Sequence, residues 1–333
     1  MLILHVEPRR AGKVARRRLK ACGCQVEYVD CSDQAELLTA LAARPYEAIF
    51  LRLGLALDAR ALDAGGELRF AVTPTTGLDH IDLAAAEERG VEVLSLRGET
   101  EFLATVRTTA EHTWALLLAS MRHLVPALED VRRGSWRREP FLADELDGNT
   151  LGILGLGRLG RIVAGYGVAF GMEVLAHDID PDAFRSAPAA VAARSRDELL
   201  AQADVVSVHL PLDETTAGYL DADALSRMRR GAVLINTARG ELVDEEALLE
   251  ALESGRLAAA GLDVLAGDSR WSEQGPGAEH PLVRYAREHE NLLLTPHMAG
   301  YGRNAIARTR LFMIEKFLRA AGKSRGGAEP GES

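Results

Sequence analysis

An α/β protein built as two doubly wound parallel-sheet domains is what this sequence predicts, on three observations. Short apolar runs alternate with helical patterns along most of the chain, as parallel strands joined by crossover helices require. One of these runs, in residues 150–171 (TLGILGLGRLGRIVAGYGVAFG), passes through G-x-G-x-x-G directly into a helical pattern. The length of 333 residues suggests two domains, not one.

The first half reads in order as follows. Residues 2–6 form a strand, 11–21 a basic helix, 25–29 a strand and 33–43 a helix. Short apolar runs follow at 48–51 and 69–72, then a helix at 83–89 closed by Gly90, and a strand at 91–94. Residues 103–124 (LATVRTTAEHTWALLLASMRHL) carry one long helical pattern, apolar on more of its circumference than a surface stripe needs. Such a helix is expected between domains or subunits. Residues 125–146 lose that periodicity and read as an extended arm.

The second half starts with the glycine motif. Leu151, Ile153 and Leu154 suit a buried parallel strand, and Ile162, Val163, Tyr166, Val168 and Ala169 suit the inner face of a helix. Strands follow at 173–177, 205–209, 232–236, 259–264 and 292–295, with helices at 222–228, 244–252 and 303–320. Residues 267–279 are polar and loop-like. Residues 322–333 (GKSRGGAEPGES) have the composition of a disordered tail.

Composition narrows the function. Hydrophobic residues at 47% and charged residues at 26% are those of an ordinary soluble globular protein. Net charge is −10, and basic residues stand in short runs such as Arg16-Arg17-Arg18 and Arg132-Arg133 without a concentrated stripe, so nucleic-acid binding is not suggested. No run has the length of a membrane span, and the first residues, MLILHVEPRR, read as a strand and not as a signal peptide. Cys22, Cys24 and Cys31 are odd in number and clustered, which fits a reducing cytoplasm and argues against a disulfide framework. With no second cluster of ligands beside them, they read as small buried hydrophobes, and no metal site is expected.

In Gly155-Leu156-Gly157-Arg158-Leu159-Gly160 the first glycine permits the tight turn. The second lets backbone approach a pyrophosphate, and the third lets helix and strand pack closely. The amides and dipole at the helix start favour phosphate charge. The motif alone is weak, because glycine-rich turns are common. Here a second strand ends in Asp178, 18 residues beyond Gly160, where a carboxylate can bind ribose hydroxyls and repel a 2′-phosphate. The cofactor expected is therefore NAD and not NADP.

Three polar residues follow strands of the second domain: Arg239, Asp268 and His297. An arginine clamps a 2-oxo acid carboxylate through two N–H groups. A histidine is the natural proton donor near neutral pH, and a carboxylate behind it fixes its orientation. Taken singly, a histidine at a strand end is more often structural and an arginine there a surface charge. In the first domain, the amides of Thr75, Thr76 and Gly77 follow a strand, and they either hold a carboxylate or simply turn the chain.

These segments, taken together, resemble the D-isomer-specific 2-hydroxyacid dehydrogenases, phosphoglycerate dehydrogenase among them. The resemblance runs from about residue 45 to 320. It rests on TGLDHIDLAAAEERGVEVLSLRG, AEHTWALLLA, ELDGNTLGILGLGRLGRIVA, VHLPLDETTAGYL, INTARGELVDEEALLEAL and LLLTPHMAG. It implies a flavodoxin-like substrate domain, residues 1–100 with 297–321, and an NAD-binding Rossmann domain, residues 101–296. The active site would lie in the cleft, and the long helix and arm would build a homodimer. It implies that Arg239 binds the substrate carboxylate and that His297 donates the proton, with Asp268 in place of the usual glutamate partner. Thr75, Thr76 and Gly77 would hold the carboxylate, and Thr105 and Arg107 would stand on the substrate side, Arg107 facing a second anionic group. Around the cofactor it places Gly155, Gly157, Arg158, Leu159, Gly160, Asp178, His209, Pro211, Thr216, Thr237, Ala238, Asp263 and Thr109.

The reaction so implied is NADH-dependent reduction of a small 2-oxo acid to its D-2-hydroxy acid. The substrate class would be phosphoglycerate-like, hydroxypyruvate or glyoxylate, or phosphonopyruvate-like. The rival reading is an NAD-sensing, corepressor-like binding protein, since such proteins share this fold. Two departures from the family pattern stand out. One is the shorter Asp268, in a loop 267–279 that is longer than the simplest pattern and brings Trp271. The other is the extra stretch GETEFLATVRTTAEH before the interdomain helix, which carries Thr105 and Arg107.

Overall fold

A computed structural model describes residues 1–7, 13–271 and 275–323. Its contacts divide the chain into two compact units. The first comprises Met1–Leu103, Ser269–Gly275 and the chain from Arg303; the second comprises Ala104–Asp268 and Pro276–Gly302.

The first unit is a five-stranded parallel sheet of β1 (Leu2–His5), β2 (Gln25–Tyr28), β3 (Ala48–Phe50), β4 (Phe70–Val72) and β5 (Glu92–Leu94). The spatial order is β2-β1-β3-β4-β5. Because side chains alternate along a strand, neighbours serve opposite faces. Leu4 and Ile49 join Leu37, Leu41 and Leu62 of α2 (Gln34–Ala43) and α3 (Ala59–Ala64) in one apolar cluster. Ile3, Ala48 and Phe50 join Leu19 of α1 (Lys13–Ala21) in the other. That second face is completed by Met313, Ile314, Phe317 and Leu318. The Phe317 ring meets Phe50 edge-on at 5.3 Å and Phe70 at 5.6 Å, a favoured aromatic geometry. α4 (Leu83–Glu88) is capped by Asp82, whose side chain accepts from the Ala85 amide.

The second unit holds a seven-stranded parallel sheet. Its strands are β6 (Thr150–Leu154), β7 (Glu173–His177), β8 (Val191–Ala193), β9 (Val205–Val208), β10 (Ala232–Asn236), β11 (Leu257–Leu262) and β12 (Leu292–Leu294). Their order is β12-β11-β10-β9-β6-β7-β8, so the strand order reverses at β6 and β9. A reversal of this kind leaves a crevice at the carboxyl ends of the strands, where doubly wound sheets take their ligands. Val205, Val233 and Ile235 are buried against Ala110, Trp114 and Leu117 of an N-terminal helix.

That helix is where the sequence expectation needs correction. Residues 103–124 are not one helix. α5 (Thr100–Ala104) ends early, α6 spans Thr108–Met121, and α7 spans Leu124–Arg132. Between α6 and α7, His123 adopts a left-handed backbone (φ 48°). Pro126 lacks an amide hydrogen and its ring would strike the carbonyl four residues back, so α6 cannot run through it. Part of the expected arm is therefore helical, and only a short 3-10 turn, Glu139–Phe141, interrupts the rest.

Four further elements carried no strong periodicity and were not anticipated: α3, β8, α9 (Arg196–Gln202) and α12 (Pro281–Glu288). A cue for α9 was present. Ser195 and Glu198 form a capping box, each side chain bonded to the other's backbone amide. The helices α8 (Arg158–Ala169), α10 (Ala222–Arg227), α11 (Glu245–Glu253) and α13 (Arg303–Ala320) complete the set.

The unit boundaries also differ from the expected 296/297 break. Residues 297–302 stay with the second unit, because the backbone after Thr295 is bonded to Asp263. The expected tail, from Gly322, lies outside the described residues beyond Lys323. No described helix is long and apolar enough to cross a membrane.

Candidate active site

Every strand of the second sheet is parallel, so the segments after β6, β7, β9, β10, β11 and β12 all leave from one edge. The glycine turn, Asp178, His209, Arg239, Asp263 and His297 all belong to those segments.

The glycine turn is built for close approach. Gly155 takes φ +91°, and a Cβ on Gly160 would lie 2.0 Å from the Gly155 carbonyl oxygen, so helix α8 closes directly onto the turn. Gly157, the N-cap of α8, has no side-chain cap, and a Cβ there would meet no atom within 4 Å. The first amides of α8 therefore open onto space that a side chain would obstruct, as a pyrophosphate cradle needs. Leu159 follows Gly157 within this first turn. Asp178, at the tip of β7, accepts from the Leu156 amide (2.7 Å) and the Asp180 amide (2.9 Å). Its carboxylate thus joins the glycine turn to the next strand and fixes its own direction. Arg158 is held by the Val106 carbonyl (2.9 Å), and burial lowers its pKa from the ordinary arginine value.

His209 leaves β9 beside the turn, where its carbonyl is among the atoms a Cβ on Gly155 would strike. Its Nε2 lies 2.9 Å from Ser207 Oγ, and burial lowers its pKa to about 4, so the ring is neutral at ordinary pH. Pro211 and Thr216 close the following loop on itself: Thr216 Oγ1 donates to the Pro211 carbonyl (2.7 Å) and accepts from the Asp213 amide (2.8 Å). Thr237 Oγ1 is 2.7 Å from Thr113 Oγ1, which donates to the Thr109 carbonyl (2.9 Å).

Arg239 is set by Asn236. The Asn236 side chain donates to the Arg239 carbonyl (2.7 Å) and accepts from the Ala238 amide (2.9 Å), holding the turn between them. Gly240 follows, and a Cβ there would lie 2.0 Å from the Leu265 carbonyl carbon. Only glycine lets this turn press against the loop that carries Asp268.

His297 and Asp268 meet. Nδ1 of His297 lies 3.0 Å from Asp268 Oδ2, and both side chains are largely buried. The shorter aspartate therefore reaches its partner directly, with no intervening group. His297 itself takes a left-handed backbone (φ 49°), uncommon for a residue other than glycine. Asp263 enforces it. This carboxylate is buried, with Oδ1 accepting from Thr295 Oγ1 (2.6 Å) and the Met298 amide (2.9 Å), and Oδ2 from the Ala299 amide (2.7 Å). The His297 amide donates to the Asp263 carbonyl (2.8 Å), and His112 Nε2 stands 2.9 Å from Thr295 Oγ1. Asp263 is thus occupied in holding the histidine loop. The parts played by Asn236, Thr113, His112 and Thr295 were missed in the sequence, although all four lie within the AEHT, INTARG and LTPH letters.

In the first unit, the loop after β4 is tied by hydroxyls. Thr73 Oγ1 lies 3.0 Å from Thr75 Oγ1 and 3.3 Å from His80 Nε2, and Thr75 Oγ1 donates to the Gly77 carbonyl (2.7 Å). Among the described residues, the amides of Thr75, Thr76 and Gly77 meet no acceptor. Thr105 and Arg107, just before α6, are exposed. Trp271 faces Gly54, whose Cβ would lie 2.8 Å from the Trp271 carbonyl oxygen. No group of three or more potential metal ligands occurs among the described residues.

Residues 114–299 match the family model for the NAD binding domain of the D-isomer specific 2-hydroxyacid dehydrogenases. A D-3-phosphoglycerate dehydrogenase of Mycobacterium leprae is 38% identical over 290 residues, covering 86% of this chain and 52% of the relative. The chain thus spans about half the length of that relative. A glyoxylate reductase of Aeropyrum pernix is 35% identical over 283 residues, 83% of this chain and 80% of the relative. Among solved structures, the TT0316 protein from Thermus thermophilus matches with a TM-score of 0.81 and 37% identity, over 97% of both chains. A D-lactate dehydrogenase from Aquifex aeolicus, complexed with NAD and lactic acid, matches with a TM-score of 0.80 and 29% identity, over 97% of this chain and 96% of that one.

Proposed function

Since the chain belongs to the D-isomer specific 2-hydroxyacid dehydrogenases, we propose that it interconverts a small 2-oxo acid and its D-2-hydroxy acid with NAD(H). The His297–Asp268 pair, at the ligand edge of a nucleotide-binding sheet, is the observation that carries this reading. When bound, the cofactor supplies or accepts the hydride. The amides of Gly157, Arg158 and Leu159 and the carboxylate of Asp178 would hold it, with Thr237, Ala238 and the loop from His209 to Thr216 around it.

The protein's own part is proton handling and orientation. Asp268 accepts at Nδ1 of His297, which leaves Nε2 as the nitrogen that gives a proton to the keto oxygen in reduction and takes it back in oxidation. Arg239 offers a fork of N–H groups to the substrate carboxylate. The unengaged amides of Thr75, Thr76 and Gly77 are suited to a carboxylate as well. Arg107 and Thr105 would favour a substrate with a second anionic group.

The chain would act as a homodimer through α7 and the segment after it, where Leu124, Val125, Leu128, Val131, Trp136 and Leu142 are exposed. Its three free cysteines suit a reducing compartment such as the cytoplasm.

NADH oxidation against a panel of 2-oxo acids, with and without a distal phosphate, phosphonate or carboxylate, tests the proposal. Turnover of glyoxylate or hydroxypyruvate alone marks a plain small-acid reductase, and preference for a doubly anionic member supports Arg107. Silence across the panel, with NADH still bound, overturns the enzyme reading in favour of an NAD-sensing protein.

A further inference from the structure

The loop bearing Asp268 is held by two carboxylates that lie outside the reacting groups. The Ala266 amide donates to Glu245 Oε1 (2.7 Å) and the Gly267 amide to Glu241 Oε1 (2.9 Å). Both glutamates belong to the segment that follows Arg239: Glu241 lies in the 3-10 turn Gly240–Leu242, and Glu245 opens α11. The other oxygen of Glu245 stands 3.4 Å from His280 Nε2, which steadies it on the far side. At Gly240 the two backbones touch, since a Cβ there would lie 2.2 Å from the Ala266 nitrogen. The turn itself is closed by the Asp268 amide on the Leu265 carbonyl (3.1 Å) and by the Leu265 amide on Asp268 Oδ2 (3.2 Å).

Aspartate is one methylene shorter than glutamate, so its reach is decided by where its backbone is placed. Hydrogen bonds from amides to ionised carboxylates are among the stronger ones available for placing a loop. We propose that Glu241 and Glu245 are positioning residues: they draw the Ala266–Gly267 turn against the Arg239 segment, so that the short Asp268 side chain reaches His297. The inference rests on the reading of His297 and Asp268 as the acid–base pair.

The test uses the full chain, with NADH and whichever of glyoxylate or hydroxypyruvate turns over faster. Glu241→Ala with Glu245→Ala lowers kcat about tenfold, as expected when a catalytic group is misplaced by a fraction of an ångström. In an Asp268→Ala background the same pair changes kcat by less than about twofold, because the group it positions is gone. Glu241→Gln with Glu245→Gln keeps most activity, since amide oxygens accept the same two N–H bonds. Asp268→Glu, added to the alanine pair, restores turnover through its longer reach. Where the alanine pair fails to fold, Glu241→Ala alone is put through the same cycle.

Equal losses with and without Asp268 mean a merely structural role and overturn the inference, as does full activity of the alanine pair with Asp268 intact. His297→Ala and Asp268→Ala serve as separate controls. If neither slows turnover, the acid–base reading itself has failed. If both do and the glutamate variants do not, only the positioning role is lost.

Discussion

At the scale of single residues, His297 answers two demands that pull apart. Its imidazole must face Asp268, and its backbone must stay left-handed, which disfavours any side chain carrying a Cβ. Glycine would suit that backbone better. His297→Gly and His297→Ala should both abolish most turnover while leaving NADH binding intact. The glycine variant should nevertheless be the more stable of the two, by about 1 kcal/mol, from relief of the left-handed strain. Parallel thermal unfolding and cofactor titration check this; a more stable alanine variant would remove the strain argument. Asp178 carries a different prediction. Asp178→Ala removes the carboxylate from the tip of β7, and should weaken NADH and narrow its advantage over NADPH. An unchanged cofactor preference in paired binding measurements would take Asp178 out of the ribose role.

Among elements, what was legible in the sequence follows from how local its cause is. The β6–turn–α8 unit is specified by one short stretch, because the positive φ of Gly155 and the close approach of Gly160 to it are both local, and it stands where it was expected. Arg239, Asp268 and His297 stood out as polar residues after strands, and the family resemblance supplied their roles. The grip of Asp263 on residues 295–299 could not be read, since it joins positions more than thirty apart in sequence and no periodicity records it. The α6–α7 break was signalled by Pro126, but the apolar pattern before it carried the expected helix to residue 124, past the turn at His123. The outcome of that break is a short helix with an apolar stripe facing outward, continued by Trp136 at 78% and Leu142 at 82% exposure. Patches of this kind mark interfaces. Leu128→Glu with Val131→Glu should halve the particle mass measured by light scattering without unfolding the chain. A native mass that does not change would take α7 out of the proposed homodimer contact.

For the molecule as a whole, acid should be felt in both units at once. His5, in the first unit, has its pKa lowered to about 4 by burial and by the nearby Arg310 and Arg16. His209, in the second, is lowered to about 4 by burial. Both rings stay neutral when folded, while the unfolded chain takes up protons below its ordinary value of 6.5. Their contribution to stability is therefore complete above pH 6.5 and is lost as pH falls towards 4. Between pH 7 and 5 that loss is on the order of 2 kcal/mol for each ring. The unfolding temperature should drop across this window, and His5→Asn with His209→Asn should flatten the drop; an equally steep fall in the variant would place the acid sensitivity elsewhere. The route of the chain has a separate consequence, for synthesis. The second unit runs from Ala104 to Gly302 with only a short excursion, whereas the first unit's sheet lacks one of its covers until α13 is made. On the ribosome, Ile3, Phe50 and Phe70 emerge with α1 but not α13 to cover that face, and the cluster is completed when Phe317 and Leu318 arrive. The unit whose strands are made before the second unit is thus completed after it, and its sheet waits for α13 while Ala104–Gly302 is synthesised.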